Sequence, residues 1–351
     1  MRQILLESNC NASLPLEVME RKQIETILQE ALRIGQAETS RGSVASYIPA
    51  LAHADPSRLG ISLFAKNGAR YEVGDTDIRF TIQSISKVIS LAVALEVCSS
   101  AQIFSKVGME PSGNAFNSLE KLDLDNNRPF NPMINAGAIT VASCLAPRLS
   151  FEKLLSIARQ LCLDPDITLD ESVCQSELGT LARNRAIAYL LQSKGIIEGD
   201  VEESLGFYVR LCSLRVTANS LAGLGLVLAL GGKDPRTGQR LLESSVVRTV
   251  KTMMLTCGMY DGSGEFAVRV GIPTKSGVGG GLLSVADRRL GIGIYGPALD
   301  GKGNSIAGCR ALEYLSDRLH LHLFSETSVQ EEPPCTQSSS ISSATGSTAI
   351  S

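Results

Sequence analysis

The sequence predicts an α/β fold of the α+β type, with one mainly antiparallel sheet, flanking helices and an inserted helical subdomain. Two observations support this fold class. Strand patterns occur towards both ends of the chain, at 60–83 and 274–295, whereas residues 118–215 between them read mostly as helix. Because early and late strands pair most simply with each other, we expect them to form one sheet.

The same pattern predicts how the chain is divided. We expect residues 1–80 and 217–324 to form the α/β sheet domain and residues 81–216 to form the inserted, mainly helical subdomain. Residues 325–351 are rich in Ser, Thr and Gln and contain Pro333-Pro334. That composition predicts a disordered tail.

The amino-terminal elements follow from the spacing of apolar residues. Helical spacing over 17–37 predicts a first helix, and alternation over 60–65 predicts a strand. Asn67-Gly68 is a two-residue hairpin signal, after which 70–73 returns as the partner strand. Residues 79–83 form one more short extended run.

A buried helix is predicted from Ser84 to Cys98, because apolar residues recur there at helical spacing nearly all round. Prolines then interrupt a long helical pattern, which predicts several helices rather than one. The last elements are predicted as helices over 217–230, 243–256 and 304–320, and as strands over 274–278, 281–286 and 290–295.

Composition and charge exclude several classes of function. The chain has 351 residues, 44% of them hydrophobic, and a net charge of −3, which gives no electrostatic case for nucleic acid binding. Because Trp is absent and aromatic residues make up 5%, base-stacking platforms are not expected. The longest apolar stretches, such as 224–230, are too short to span a membrane, and we find no secretory signal.

Cysteine and histidine usage restricts the chemistry further. The nine cysteines include no C-x-x-C pair, so we expect reduced cysteines in a cytoplasmic protein, without a disulfide framework or a metal cluster. The three histidines, His53, His320 and His322, leave little for a zinc site or a Ser-His-Asp triad. If the protein is a hydrolase, its base is therefore a residue other than histidine.

Ser84-Ile-Ser-Lys87 is the first candidate site, although the same Ser-x-x-Lys spacing recurs at 118–121 and 150–153. Context favours the first copy, since a strand-like run passes there into an apolar helix. A helix N-terminus stabilises a developing oxyanion, and side chains three residues apart share a helix face. Taken alone, Ser84 could equally cap the helix while Lys87 is solvated.

Lys275-Ser276-Gly277 is the second candidate motif, at the start of a predicted strand. In penicillin-recognising enzymes such a strand lies opposite the Ser-x-x-Lys helix. A neutral lysine at pH 7 costs about 4.6 kcal/mol at its ordinary pKa, and burial or a nearby cation lowers that pKa. We therefore interpret Lys87 as the general base and Lys275 with Ser276 as supporting groups. Taken alone, the motif could be a strand start with a glycine hinge.

Two further motifs resemble nucleotide-binding loops but lack the required context. Residues 291–296 fit G-x-G-x-x-G but lie inside a predicted strand. Residues 296–302 fit the front of a Walker A loop, yet Gly303 stands where the Mg²⁺-binding hydroxyl belongs.

Taken together, the motifs resemble the serine-dependent glutaminases, a family with a β-lactamase/transpeptidase-like fold. The resemblance covers roughly residues 20–325 and rests on seven stretches in the family's order: FTIQSISKV, EPSGNAFNS, RPFNPMINAGAI, RNRAIAYLL, GGKDPRTG, GMYDGSGEFA and TKSGVGGG. It implies hydrolysis of L-glutamine to glutamate and ammonia without a metal or organic cofactor. It also implies a homo-oligomer, either a dimer or a tetramer.

The resemblance also implies roles for individual residues. Ser84 matches the nucleophile, Lys87 its base and Tyr260 a catalytic phenol. The positions that match substrate-binding residues are Ser84, Asn135, Glu177, Asn184, Tyr208, Tyr260 and Val278. The chain departs from the family pattern at Leu211 and Gln175, where a glutamine and an acidic residue are common. Neither departure removes a catalytic group that the resemblance implies.

Two other classes share the lysine motifs. A penicillin-binding carboxypeptidase or β-lactamase would need a Ser-x-Asn element, and Ser112-Gly-Asn114 follows Ser84 by only 28 residues. A sensor or scaffold with the same fold would bind a ligand without turnover.

Overall fold

The computed structural model describes residues 19–112 and 128–325. Five strands form the main sheet in the order β2-β1-β8-β7-β6, and every neighbouring pair is antiparallel. The described chain has eight strands in all, and β3, β4 and β5 lie outside the main sheet. They are β1 (Gly60–Ala65), β2 (Arg70–Gly74), β3 (Phe80–Thr81), β4 (Thr168–Leu169), β5 (Leu214–Val216), β6 (Thr274–Gly277), β7 (Gly281–Ala286) and β8 (Leu290–Tyr295). The predicted antiparallel sheet, built from strands at both ends of the chain, is confirmed.

Helices surround this sheet and fill the middle of the described chain. They are α1 (Arg21–Gln36), α2 (Ser86–Val97), α3 (Ser100–Lys106), α4 (Asn135–Leu145), α5 (Phe151–Leu161), α6 (Glu171–Gly179), α7 (Ala182–Ser193), α8 (Val201–Cys212), α9 (Ala218–Ala229), α10 (Ser244–Cys257), α11 (Ser263–Arg269) and α12 (Ile306–Arg318). Among the residues in view, no helix is long and apolar enough to cross a membrane.

The sheet is covered on both faces, because each face presents apolar side chains. Ile27 of α1 and Leu312 of α12 share one buried cluster with the strands, and α9 packs on the other side. A Cβ atom at Gly293 of β8 would lie 1.9 Å from the Ala218 carbonyl oxygen. Gly291 and Gly293, the first two glycines of the G-x-G-x-x-G pattern, thus allow α9 to lie directly on the sheet.

The segment before α2 differs from the predicted single helix. The extended run ends at Thr81, and Gln83 has a left-handed backbone with a φ of 48°. A 3₁₀ turn then covers Gln83–Ile85, and α2 begins only at Ser86. The prediction of a helix buried nearly all round is confirmed for α2, whose residues 86–95 are all buried.

Some sequence-based expectations fall outside the described residues. The Ser-x-x-Lys pattern at 118–121 does so, as does the predicted disordered tail of 325–351 apart from Ser325.

Candidate active site

Ser84 lies in the 3₁₀ turn between β3 and α2, and its side chain is buried. It is not the N-cap of α2, since that position belongs to Ile85. Lys87 follows in the first turn of α2 and is 1% exposed. We call Ser84, α2 and the side chains that bind Lys87 the helical wall of the site.

The Lys87 ammonium group has two hydrogen-bond acceptors on α4 and the segment before it. Its Nζ donates to the Asn135 Oδ1 atom at 2.7 Å and to the Met133 carbonyl oxygen at 3.2 Å. Burial lowers the Lys87 pKa to about 8, although the charges of Cys212 and Glu177 oppose this shift. A fraction of this amine is therefore neutral near physiological pH.

Asn135 connects Lys87 to two further predicted residues. Its Nδ2 atom donates to the Asn184 Oδ1 atom at 3.1 Å, and the Tyr208 hydroxyl donates to its Oδ1 atom at 3.4 Å. The side chains of α4, α7 and α8 thus meet at one point beside α2. Of these groups Asn184 is half-buried, whereas Asn135 and Tyr208 are buried.

Glu177 is a buried carboxylate near this network. Burial raises its pKa to about 7, while a hydrogen bond with the Gln83 side chain and the charge of Lys87 lower it. Its Oε2 atom has no hydrogen-bond partner among the described residues. A carboxylate with a free oxygen can accept a ligand ammonium group.

The opposite side, which we call the sheet wall, consists of β6 and the 3₁₀ turn Tyr260–Gly262. Lys275 is fully buried, and its Nζ atom donates to the carbonyl oxygens of Ser276 at 2.6 Å and Gly258 at 3.1 Å. The same Nζ atom lies 4.4 Å from the centroid of the Tyr260 ring. Burial, followed by the charge of Lys87, holds the Lys275 pKa well below its usual value. The two lysines therefore interact across the site.

Tyr260 connects the two walls. Its hydroxyl donates to the Ser276 carbonyl oxygen at 3.2 Å and also forms a hydrogen bond with Ser84. Burial raises the pKa of Tyr260, so the phenol keeps its proton at neutral pH. Its backbone has a φ of 54°, and such strained conformations cluster at functional sites.

The residues after β6 run close to the nucleophile turn. A Cβ atom at Gly279 would lie 2.4 Å from the Thr81 carbonyl oxygen, so only glycine allows this approach. Val278 is buried between Gly277 and Gly279. The Ser276 Oγ atom is also buried and has no hydrogen-bond partner in the described part of the chain.

Cavities reach the site from two directions. One of about 550 Å³ is lined by Tyr260, Met133 and Asn131, and another of about 260 Å³ is lined by Val278 and Thr81. Within the described ranges, no group of three or more His, Cys, Asp or Glu side chains could hold a metal ion.

Three residues near the site were not predicted. Gln83 pairs with Glu177, and the Cys212 Sγ atom lies 3.6 Å from the Ser86 Oγ atom. Tyr47 is 57% exposed as a residue, yet burial of its phenol, followed by the nearby Tyr260 and Glu177 groups, raises its pKa. Only Gln83 had a signal in the sequence, as a polar residue directly before the nucleophile motif.

Comparison with known proteins gives a consistent result. The family model described as Glutaminase matches residues 42–324. A glutaminase from Clostridium botulinum (strain Hall) is 50% identical over 289 residues, which is 81% of this chain and 95% of that protein. Glutaminase 1 from Halalkalibacterium halodurans is 47% identical over 307 residues, 86% of this chain and 99% of that protein.

A solved structure also resembles the chain. A probable glutaminase from Bacillus subtilis, complexed with 6-diazo-5-oxo-L-norleucine, superposes with a TM-score of 0.79 at 35% identity, covering 87% of this chain and 99% of that one. The predicted family and the β-lactamase-like fold class are thereby confirmed, and this chain belongs to the glutaminase family.

Proposed function

We propose that the protein hydrolyses the side-chain amide of L-glutamine through an acyl-enzyme formed on Ser84. The observation that carries this mechanism is the hydrogen bonding of Lys87. A neutral amine has two N–H donors and one lone pair. The Asn135 Oδ1 atom and the Met133 carbonyl oxygen take up two donors, so the lone pair of neutral Lys87 is left to accept the proton of Ser84.

The first half-reaction forms the ester. The Ser84 Oγ atom bonds to the amide carbon of glutamine while Lys87 takes the hydroxyl proton. The backbone amides of Ser84 and Val278 stabilise the oxyanion. Tyr260 keeps its proton at neutral pH and can pass it to the departing nitrogen, which leaves as ammonia when the C–N bond breaks. Water then attacks the ester carbon, and the Lys87 ammonium group returns its proton to the Ser84 Oγ atom as the ester C–O bond breaks. A proton from the attacking water restores the Tyr260 phenol, and glutamate leaves.

The substrate's α-amino and α-carboxylate groups require partners of opposite character. We assign the ammonium group to Glu177, whose Oε2 atom is buried and unpaired among the described residues. Asn135, Asn184 and Tyr208 supply amide and hydroxyl groups, and Ser84, Tyr260 and Val278 line the reacting end. Lys275 and Ser276 support the sheet wall. We propose no metal or organic cofactor for this reaction.

The experiment is an assay of ammonia release from L-glutamine. The purified protein should release ammonia from glutamine, and the kcat of Ser84→Ala should be lower by roughly 10⁴-fold or more. Ser90→Ala is the matched control, because it removes a buried hydroxyl from α2, the helix that follows Ser84, and that hydroxyl donates to the Lys87 carbonyl oxygen. Nitrocefin turnover without ammonia release would instead indicate a β-lactamase. Glutamine binding without turnover would indicate a sensor.

We also propose the division into a sheet domain (1–80 plus 217–324) and a helical subdomain (81–216), a cytoplasmic location and a homo-oligomer, dimer or tetramer. The seven cysteines in the described ranges are free thiols, which supports a reducing compartment. Limited proteolysis, cell fractionation and light scattering test the three proposals in turn.

A further inference from the structure

A separate cavity of about 170 Å³ lies behind the turn that carries Tyr260. The Tyr260 turn forms one side through Met259 and Gly262, and the loop 300–304 forms another. Helices α11 and α12 complete the walls. None of the residues assigned above to catalysis or substrate binding lines this cavity.

The Asn304 side chain lines this cavity, and the oxygen end of its amide is unpaired. It is 4% exposed, and its Oδ1 atom is buried with no hydrogen bond to any described residue. Asn131 and Asn135, the other strongly buried asparagines of the described chain, each use both ends of the amide. An unpaired buried amide is destabilising, so its retention in a native structure requires an explanation, and a ligand that completes the amide supplies one. A carboxamide pairs with a ligand that carries a donor and an acceptor close together.

The charges around the cavity are balanced. Three cationic and three anionic side chains line it: Arg269, Lys302, Arg310, Glu265, Asp300 and Glu313. Arg269 is already paired with Glu313 and, at 3.2 Å, with Glu265, and Arg310 is paired with Glu313. Lys302 has only a 4.0 Å contact, with the other oxygen of Glu265. One Asp300 oxygen accepts two backbone N–H groups, those of Lys302 and Asn304. The cavity therefore has no excess of positive or negative side chains that would favour a ligand with a large net charge.

We propose that this cavity is a binding site for a small α-amino acid zwitterion. The Asn304 amide pairs with its ammonium and carboxylate groups, Lys302 approaches the carboxylate, and Glu265 approaches the ammonium. The cavity volume suits a small amino acid such as glycine or serine.

The cavity shares its walls with the proposed active site. Gly303, next to Asn304, packs so closely that a Cβ atom there would lie 3.6 Å from Tyr260 Cε2 and 3.3 Å from Val278 Cγ1. Gly262, on the opposite wall, belongs to the Tyr260 turn. Occupancy therefore acts on the position of Tyr260 and changes kcat more than KM, an effect that rests on the function proposed above.

The test measures binding directly, by calorimetry and by ligand-observed NMR, with glycine and L-serine as probes. Glycolate, which lacks the ammonium group, and methylamine, which lacks the carboxylate, are the matched ligands. We expect millimolar binding of glycine and at least tenfold weaker binding of both partial analogues. Equal binding of glycolate would show a simple anion site and overturn the proposal, as would absence of glycine binding.

Two variants locate the binding. Asn304→Leu removes the unpaired amide at nearly constant volume, so its Tm should equal or exceed that of the unmodified protein while glycine binding falls at least tenfold. Lys302→Met changes a partly exposed side chain and gives a second reading if Asn304→Leu misfolds. Unchanged binding in a folded Asn304→Leu or in Lys302→Met overturns the proposal.

Glu177→Gln separates this site from the proposed active site and should leave glycine binding unchanged, since Glu177 lies outside the cavity; weakened binding there would place glycine in the active site. Glycine should also change kcat in the unmodified protein, and Asn304→Leu should abolish that response. Glycine binding that depends on Asn304 in a protein without glutaminase activity would refute the proposed function and leave the site standing.

Discussion

The two walls of the proposed active site each bury one lysine, but they hold it in different ways. Lys87, on the helical wall, donates to one backbone carbonyl and to the Asn135 side chain. Lys275, on the sheet wall, donates to two backbone carbonyls, and Tyr260 covers it with its ring. The comparison teaches that burial alone does not define a general base. Lys87 lies in the turn after Ser84, whereas Lys275 ties β6 to the turn that carries Tyr260.

The largest effect that this comparison predicts is the loss of Lys87. Lys87→Met keeps the length of the side chain and removes the amine, so kcat should fall roughly 10³-fold or more, because no group remains to accept the Ser84 proton. Steady-state kinetics measure it, with circular dichroism as a folding control. A loss of less than tenfold would show that a residue other than Lys87 is the base.

A smaller effect is expected when the same substitution is made on the sheet wall. Lys275→Met removes two hydrogen bonds and the contact with Tyr260, so Tyr260 is held less firmly. We expect kcat to fall roughly 10- to 100-fold and the Tm to change. If Lys275→Met were as inactive as Lys87→Met while fully folded, the two lysines would share one chemical role.

Glu177, which lies near the helical wall, tests the proposed binding of the substrate ammonium group. Glu177→Gln keeps the shape but removes the charge proposed to bind the substrate ammonium, so KM should rise roughly 10- to 100-fold with a smaller change in kcat. Gln175→Glu, on the same helix, is the control and should change KM by less than threefold. An unchanged KM in Glu177→Gln would remove Glu177 from the binding site.

The smallest predicted effect that distinguishes the two lysines is in the dependence of kcat/KM on pH. If Lys87 is the base proposed above, only its deprotonated form is active, so kcat/KM should rise about tenfold per pH unit below its pKa of about 8 and level off above it. Protonation of Glu177, whose pKa is about 7, should steepen the fall at lower pH. Since burial is the main cause of the lowered Lys87 pKa, the rise of kcat/KM in Lys275→Met should still level off near pH 8. If it instead levelled off a full pH unit higher, the Lys275 charge would be shown to lower the Lys87 pKa, as the sequence predicts.

Elements with a strong local pattern were predictable from the sequence. The bounds of β1, β7 and β8 match the predicted strands residue for residue, because alternation and turn residues are local signals. The turn at Gln83 was not predictable, since no turn residue in the local pattern marks the left-handed backbone that Gln83 adopts. The hydrogen bond from Lys87 to Asn135 spans 48 residues, and no periodicity encodes a contact of that kind. Resemblance to a family pointed to Asn135, whereas residue physics alone would have treated it as a helix cap.

The order of strands in the main sheet has a consequence for protein synthesis. β8 lies between β1 and β7, so β6 and the residues that follow it acquire their position only after Tyr295 can pair with Gly60. A nascent chain that already displays Ser84 and Lys87 outside the ribosome therefore lacks the strand that completes the pocket. If Ser84 is the nucleophile proposed above, it can react only when nearly the whole chain has emerged.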